Sequence, residues 1–284
     1  MTLIGCFATP HPPIIVPEVG GTRLAEANAT VRAMRAVREK AALLDPDTIV
    51  LMSPHSALAP SQMGVSPASA YRGSLAFFGA PKVRLEAAGD QVLAEAILAE
   101  ALGHGVPATM TGSRGDVVDL DHGAMVPLIY LMGELARPCR LVLLAFSYLS
   151  AEEHVRFGEA VGRAIIESSS RVLYVASSDL SHRLLPGAPA GYDPRGAEFD
   201  RAVADTFAAG DWEALLSIDS ALVRAAGECG YRSLAVLSGV VASLEAAGGH
   251  ARNHLLSYEG PFGVGYLVGE VEVVNAAPKG EGDR

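Results

Sequence analysis

The chain has 284 residues, half of them hydrophobic, 19% charged and 6% aromatic. That apolar share can build a sizeable core and excludes global disorder. With 22 basic against 32 acidic residues the formal net charge is -10, which argues against nucleic acid or an anionic membrane surface as the main partner.

Three scattered cysteines, Cys6, Cys139 and Cys229, form no CxxC pair and no disulfide framework, which suits a reducing compartment. Met1 to Gly5 carries no basic residue ahead of an apolar stretch and is a poor signal peptide. No apolar run reaches the roughly 18 residues of a membrane-spanning helix. The expectation is a soluble, cytoplasmic protein.

After a short apolar opening, Leu3 to Ala8, helical periodicity runs over Arg23 to Leu44. A strand is predicted at Thr48 to Met52, then helices over Gln91 to Leu102 and Met125 to Leu135. The strand Leu141 to Phe146, the helix Ala151 to Ser168 and the strand Val172 to Ala176 follow. Ser150 before Ala151-Glu152-Glu153 reads as a serine cap with the glutamate of a capping box. Leu184 to Gly196, rich in proline and glycine, is an ordered loop or lid. Helices are predicted over Ala197 to Ala208, Asp211 to Ile218 and Arg232 to Ala247, and a last strand within Gly265 to Val274. Strands alternating with helices give an α/β fold: one domain over 1–275 with a central mixed, mostly parallel sheet flanked by helices, and a flexible tail over 276–284.

Histidine is the informative residue. His104, His154, His250 and His254 lie in polar or helical surroundings and read as surface residues. The other four sit elsewhere. His11 follows the apolar opening in Thr9-Pro10-His11-Pro12-Pro13; His55 follows a strand in Ser53-Pro54-His55-Ser56. His182 follows another strand, in Ser178-Asp179-Leu180-Ser181-His182, and His122 precedes a helix in Asp121-His122-Gly123. The C-terminal edge of an open α/β sheet is where ligands bind, and converging imidazoles mean a metal site or acid–base chemistry. A further ligand is sought in Gly227-Glu228-Cys229-Gly230, just before a helix. A carboxylate with two histidines is the facial triad of non-haem Fe(II); a thiolate with two histidines favours Zn or Cu.

These five ordered segments, from residue 9 to about residue 235, resemble the catalytic B subunit of class III extradiol ring-cleavage dioxygenases of the protocatechuate 4,5-dioxygenase type. They also resemble the related Memo-like proteins, including AmmeMemoRadiSam system protein B. The resemblance implies one mononuclear metal site with His11 and His55 as histidine ligands and Glu228 as the carboxylate ligand. It makes His182 the acid–base group that takes a proton from a catechol hydroxyl, and puts His122 on the oxygen and substrate side. In the Memo-like branch a cysteine stands where the dioxygenases use glutamate, which makes Cys229 the alternative third ligand. Tyr192 and Asp193, in the loop after His182, are candidate substrate contacts.

The implied function is Fe(II)-dependent cleavage of a catecholic or aminophenolic ring with O2. The alternatives are a Memo-like metal-binding protein with a redox or partner-binding role and no ring cleavage, and, more distantly, a Zn-dependent hydrolase. The expected partners are a small aromatic substrate and O2, a second copy of the chain, and a small A-type subunit.

Overall fold

The computed structural model of the protein describes residues 2–274, so the tail expected over 276–284 lies outside the described residues. In chain order the elements are β1 (Leu3–Thr9), α1 (Pro17–Gly20), α2 (Asn28–Leu44), β2 (Thr48–Ser53), β3 (Met63–Val65), β4 (Ala70–Leu75), β5 (Ala80–Ala88), α3 (Gln91–Gly103), β6 (Ala108–Met110), β7 (Val117–Asp119), α4 (His122–Met132) and β8 (Arg140–Ala145). They continue with α5 (Ala151–Glu167), β9 (Val172–Ser177), α6 (Arg195–Ala209), α7 (Trp212–Leu216), α8 (Ser220–Ala226), α9 (Tyr231–Ala246), β10 (His250–Glu259) and β11 (Tyr266–Val274).

Eight strands form one mixed sheet in the order β10-β11-β1-β9-β2-β8-β3-β6, and β5-β4-β7 form a second, smaller one. The four central strands β1, β9, β2 and β8 are parallel to one another. This is the single α/β domain with a mixed sheet that the pattern predicts. The central strands are continuous apolar runs because both faces are covered. Along β2, Val50 and Met52 enter one core while Ile49 and Leu51 enter the other. Tyr174 and Ala176 of β9 alternate with Leu173 and Val175 in the same way. The connection from β1 to β2 passes through α2 on one face, and that from β8 to β9 through α5 on the other. Such opposed crossovers leave a crevice at the carboxyl ends of the strands.

The closest helix contact runs through glycine. A Cβ on Gly158 of α5 would stand 2.1 Å from the Val236 carbonyl oxygen of α9, and one on Gly239 of α9 would stand 2.1 Å from that of Val155. Only hydrogen allows this approach. Gly158→Val is therefore expected to cost about 3 kcal/mol or more, since the obstacle is backbone rather than a movable side chain; a urea unfolding midpoint unchanged from the wild type would exclude this.

Short strands and polar edges escaped the sequence pattern. β3, β6 and β7 have three residues each, too few to show a period. β10 is an edge strand whose ten residues carry His250, Arg252, Asn253 and His254 among its apolar positions. At α5 the expected cap forms by half: Ser150 Oγ accepts from the Glu153 N–H at 3.3 Å, but the Glu153 carboxylate pairs with Arg156.

His154 is not a surface residue. It is fully buried on the inner side of α5; its Nδ1–H donates to the Ser150 carbonyl at 2.7 Å, and its Nε2 accepts from the Ser147 N–H at 3.4 Å. Burial lowers its pKa from 6.5 to about 4. The unfolded chain then binds the extra proton first, so stability falls as pH drops below 6.5 and goes on falling until about 4. Roughly 3 kcal/mol is at stake. In His154→Gln the unfolding free energy should vary less with pH across that window; an unchanged slope would count against it. Among the described residues no helix is long and apolar enough to cross a membrane.

Candidate metal centre

Two strand ends and one helix start converge on one point. His11 follows β1, His55 follows β2 and His122 is the first residue of α4. One ring nitrogen from each of the three lies within 4.8 Å of the others. The Nε2 atoms of His11 and His55 are 3.1 Å apart, and the rings of His55 and His122 stack with centroids 4.3 Å apart. Phe78 lies against His122 at 5.6 Å.

A second layer of polar side chains holds these rings. Asp121 caps α4 by accepting from the Ala124 N–H, and its two carboxylate oxygens accept from Ser53 and Ser56 on either side of His55. One carboxylate thus ties the His55 loop to the helix that carries His122. At His11 the hydrogen bonds fix the tautomer. Ser177 Oγ donates its single proton to the Gly123 carbonyl at 2.6 Å, so it accepts from His11 Nδ1–H at 2.9 Å. His11 Nε2 is then unprotonated, with its lone pair facing His55 and Cys229. Ser177→Ala is expected to lower metal affinity about 10- to 100-fold while leaving the three imidazoles in place. Equal affinity of variant and wild type in a competitive Zn(II) titration would rule out this tautomer control.

Asp179 buries its carboxyl behind His11. Its Oδ1 accepts the His11 backbone N–H at 2.8 Å, and its Oδ2 lies 3.6 Å from His11 Nε2. Burial raises its pKa to about 7, against the pull of that N–H. All the site histidines shift the other way. Burial is the largest cause at His11, which falls well below 6.5, followed by the charges that His55, His122 and His182 would carry. His55, His122 and His182 are lowered by burial in the same way. The cluster is therefore neutral at pH 7, the state in which imidazole ligates metals.

The Glu228-Cys229 pair splits across its turn. Gly227 has φ +61° and ends α8. The Glu228 carboxylate accepts the Tyr231 N–H at 2.6 Å, at the start of α9, and faces away from the histidines into a separate cavity. The Cys229 sulfur lies 3.5 Å from His11 Nε2. Burial raises the pKa of this thiol, and the nearby Asp179 and Glu228 carboxylates raise it further; a bound cation reverses that preference.

His182 stands beside the cluster, half-buried, and its Nδ1 is buried without a hydrogen-bond partner. Of the other predicted contacts, Asp193 is chelated by Arg195 and Tyr192 is 58% exposed. The loop that carries them is ordered by its own bonds: Ala190 N–H donates to the His182 carbonyl and Asp193 N–H to that of Arg183. Beside His55 opens a cavity of about 460 Å³, lined by Ser56, Thr109, Met110, Thr111, Asp121 and Leu143 among others.

His11 with His55, and His11 with Cys229, stand at the separations of neighbouring ligands on one metal ion, while the group whose ligand atoms all lie within 4.8 Å of one another is His11, His55 and His122. Two nitrogens bound at about 2.1 Å stand about 3.0 Å apart at octahedral angles and 3.4 Å at tetrahedral ones. A sulfur at about 2.3 Å stands about 3.1 to 3.6 Å from such a nitrogen. The observed 3.1 Å and 3.5 Å fall within both ranges. Ser177, Asp179 and Asp121 were not singled out from the sequence as functional, although each lies within or beside a histidine motif. Their partners are distant in the chain, and only the fold pairs them.

A family model described as the catalytic LigB subunit of aromatic ring-opening dioxygenase matches residues 5–269. The protein CA_C1420 of Clostridium acetobutylicum is 36% identical over 279 residues, which cover 96% of this chain and 58% of that protein; the chain thus spans little more than half of its relative's length. The crystal structure of an uncharacterized protein, JW3007, from Escherichia coli K12 shares the fold with a TM-score of 0.64 at 16% identity, covering 94% of this chain and 99% of that one.

Proposed function

Because the chain belongs to the family of catalytic LigB subunits of aromatic ring-opening dioxygenases, we propose that it is a mononuclear metal-dependent dioxygenase acting on a small ring with adjacent hydroxyl or amino groups. The observation that carries this reading is the convergence of neutral His11, His55 and His122 at one point, with His182 beside it. His11, His55 and Cys229 would hold the ion, Fe(II) in this reading, with His122 facing the open side.

A bound ion would supply the Lewis acidity and open positions that ring opening with O2 requires. The chain's own residues do the rest. His182 takes the proton of a ring hydroxyl, which a lowered pKa permits because the imidazole is already neutral. The 460 Å³ cavity beside His55 accepts a single ring, and its apolar walls Met110, Leu143 and Leu144 exclude water. Tyr192 and Asp193, at the loop after His182, are proposed as rim contacts.

A second reading is favoured by one specific observation, the sulfur of Cys229 rather than a carboxylate against His11. A thiolate favours Zn or Cu and fits a Memo-like metal-binding role without ring cleavage. One experiment separates the two: anaerobic purification, reconstitution with Fe(II), and O2 uptake with ring-cleavage absorbance across a catechol and aminophenol panel. Turnover supports the dioxygenase. Tight metal binding with no O2 consumption would leave the Memo-like role.

A further inference from the structure

On the other side of the Gly227–Cys229 turn lies a second cavity of about 480 Å³, enclosed by the starts of α5 and α9 and by α7 and α8. One part of its wall is apolar, Leu149, Leu216, Ile218 and Val223 with the buried Tyr231 beside them, and the rest is polar, with Ser150, Ser220, Arg224, Glu228 and Arg232. Its charges do not balance. Arg224 and Arg232 line it against a single carboxylate, Glu228. Among the described residues neither guanidinium lies within salt-bridge distance of any acid. Arg224 is steered by Ser220 Oγ at 3.1 Å, and Arg232 stacks over the Phe146 ring at 5.5 Å. Glu228 feels the charge of Arg232 but closes no ion pair with it, and Arg224, exposed at the rim, has no acid partner, so one positive charge beside the apolar part of the wall is left over for a ligand anion. The N-termini of α5 and α9 are already answered by acids, Glu152 and Glu153 on α5 and Glu228 at α9, so the unmatched positive charge comes from the arginines.

From this geometry we infer that the cavity is a second ligand site, separate from the metal centre, for a small monoanion with an apolar ring, such as an aromatic carboxylate. The carboxylate would bridge Arg224 and Arg232, and the ring would lie among Leu149, Ile218 and Val223. The volume falls in the range of small-molecule sites. The inference stands whether or not the metal centre opens rings, because it uses no residue of that centre.

Trp212 is the single tryptophan and sits on α7, whose last residue, Leu216, lines the cavity. Its fluorescence provides the readout. The full chain is titrated with benzoate, cyclohexanecarboxylate and benzylamine. Both carboxylates are expected to bind saturably and the amine not at all. Arg232→Gln and Arg224→Gln should each weaken benzoate by about tenfold, the scale of one hydrogen bond to a charged group. Val223→Trp should block the chamber. Glu228→Gln, which keeps an oxygen for the Tyr231 N–H, should tighten binding by removing the opposing charge. His55→Ala should leave the affinity within about twofold of wild type, as expected for a separate site. The inference is overturned if neither carboxylate binds saturably, if benzylamine binds as well as benzoate, or if binding disappears in His55→Ala while both arginine variants retain it.

Discussion

Metal affinity should fall by more than about 100-fold in His11→Ala and in Cys229→Ser, and change by no more than about threefold in Glu228→Gln. Loss of an outer hydrogen-bond partner costs about 10- to 100-fold, so loss of a ligand lies beyond that range. His11 carries the most because its position is the most determined. Its ring is 1% exposed, its Nδ1–H is held by Ser177, its backbone N–H by Asp179, and its Nε2 meets both His55 and Cys229. Glu228→Gln is the informative contrast, because glutamine still accepts the Tyr231 N–H and the α9 start is undisturbed. Competitive Zn(II) and Fe(II) titrations under anaerobic conditions give all three affinities. Loss of affinity in Glu228→Gln with retention in Cys229→Ser would make the carboxylate the ligand and overturn the proposed ligand set.

That contrast also marks where sequence pattern stops. The central strands were legible because burial on both faces demands uninterrupted apolar residues, as in Ile49-Val50-Leu51-Met52. The four site histidines were legible because each sits at a strand end or helix start, where an α/β sheet presents its ligands. The small sheet was not: β4 carries Arg72, Gly73 and Ser74, and β5 alternates charged and apolar residues over one exposed face. β10 resembles a polar surface segment because it pairs on one side only, with β11. The division of labour between Glu228 and Cys229 was out of reach for another reason. Both follow a glycine in the same turn, and the backbone rotation there decides which side chain reaches His11. Composition carries no record of that rotation; the left-handed Gly227 and the free N–H of Tyr231, which draws the carboxylate back to its own helix, are properties of the folded chain.

The polar residues around the histidines share one physical task. Burial disfavours any added proton on these imidazoles, and their closeness to one another adds to the effect, so each ring stays neutral. Neutral rings still need orientation, because a histidine has two nitrogens and only one can serve. Ser177, with its proton committed to Gly123, makes that choice for His11; Asp121 sets the spacing between His55 and His122 through two serines and a helix cap. The carboxyl of Asp179, neutral or charged near pH 7, stays within reach of the same ring. The chain's own hydrogen bonds thus orient these rings toward one point.

Turnover, where the proposed ring-opening activity is present, should fall about 100- to 10,000-fold in His182→Phe, the range of a lost general base, while metal affinity stays near wild type. The two readouts separate the roles. His182 is assigned the proton and not the ion because it stands beside the cluster while the three-histidine group forms without it. Phenylalanine keeps the ring's volume in a half-buried position, so the variant removes basicity more than packing. The pH profile provides a further test. Burial lowers the His182 pKa below 6.5, so the acid limb of kcat/KM should fall below that value in the wild type. In His182→Phe that limb should vanish along with the activity. A variant that turns over at the wild-type rate would remove His182 from the chemistry. A variant that loses both turnover and metal would move it into the ligand set, and His122 would then become the candidate base.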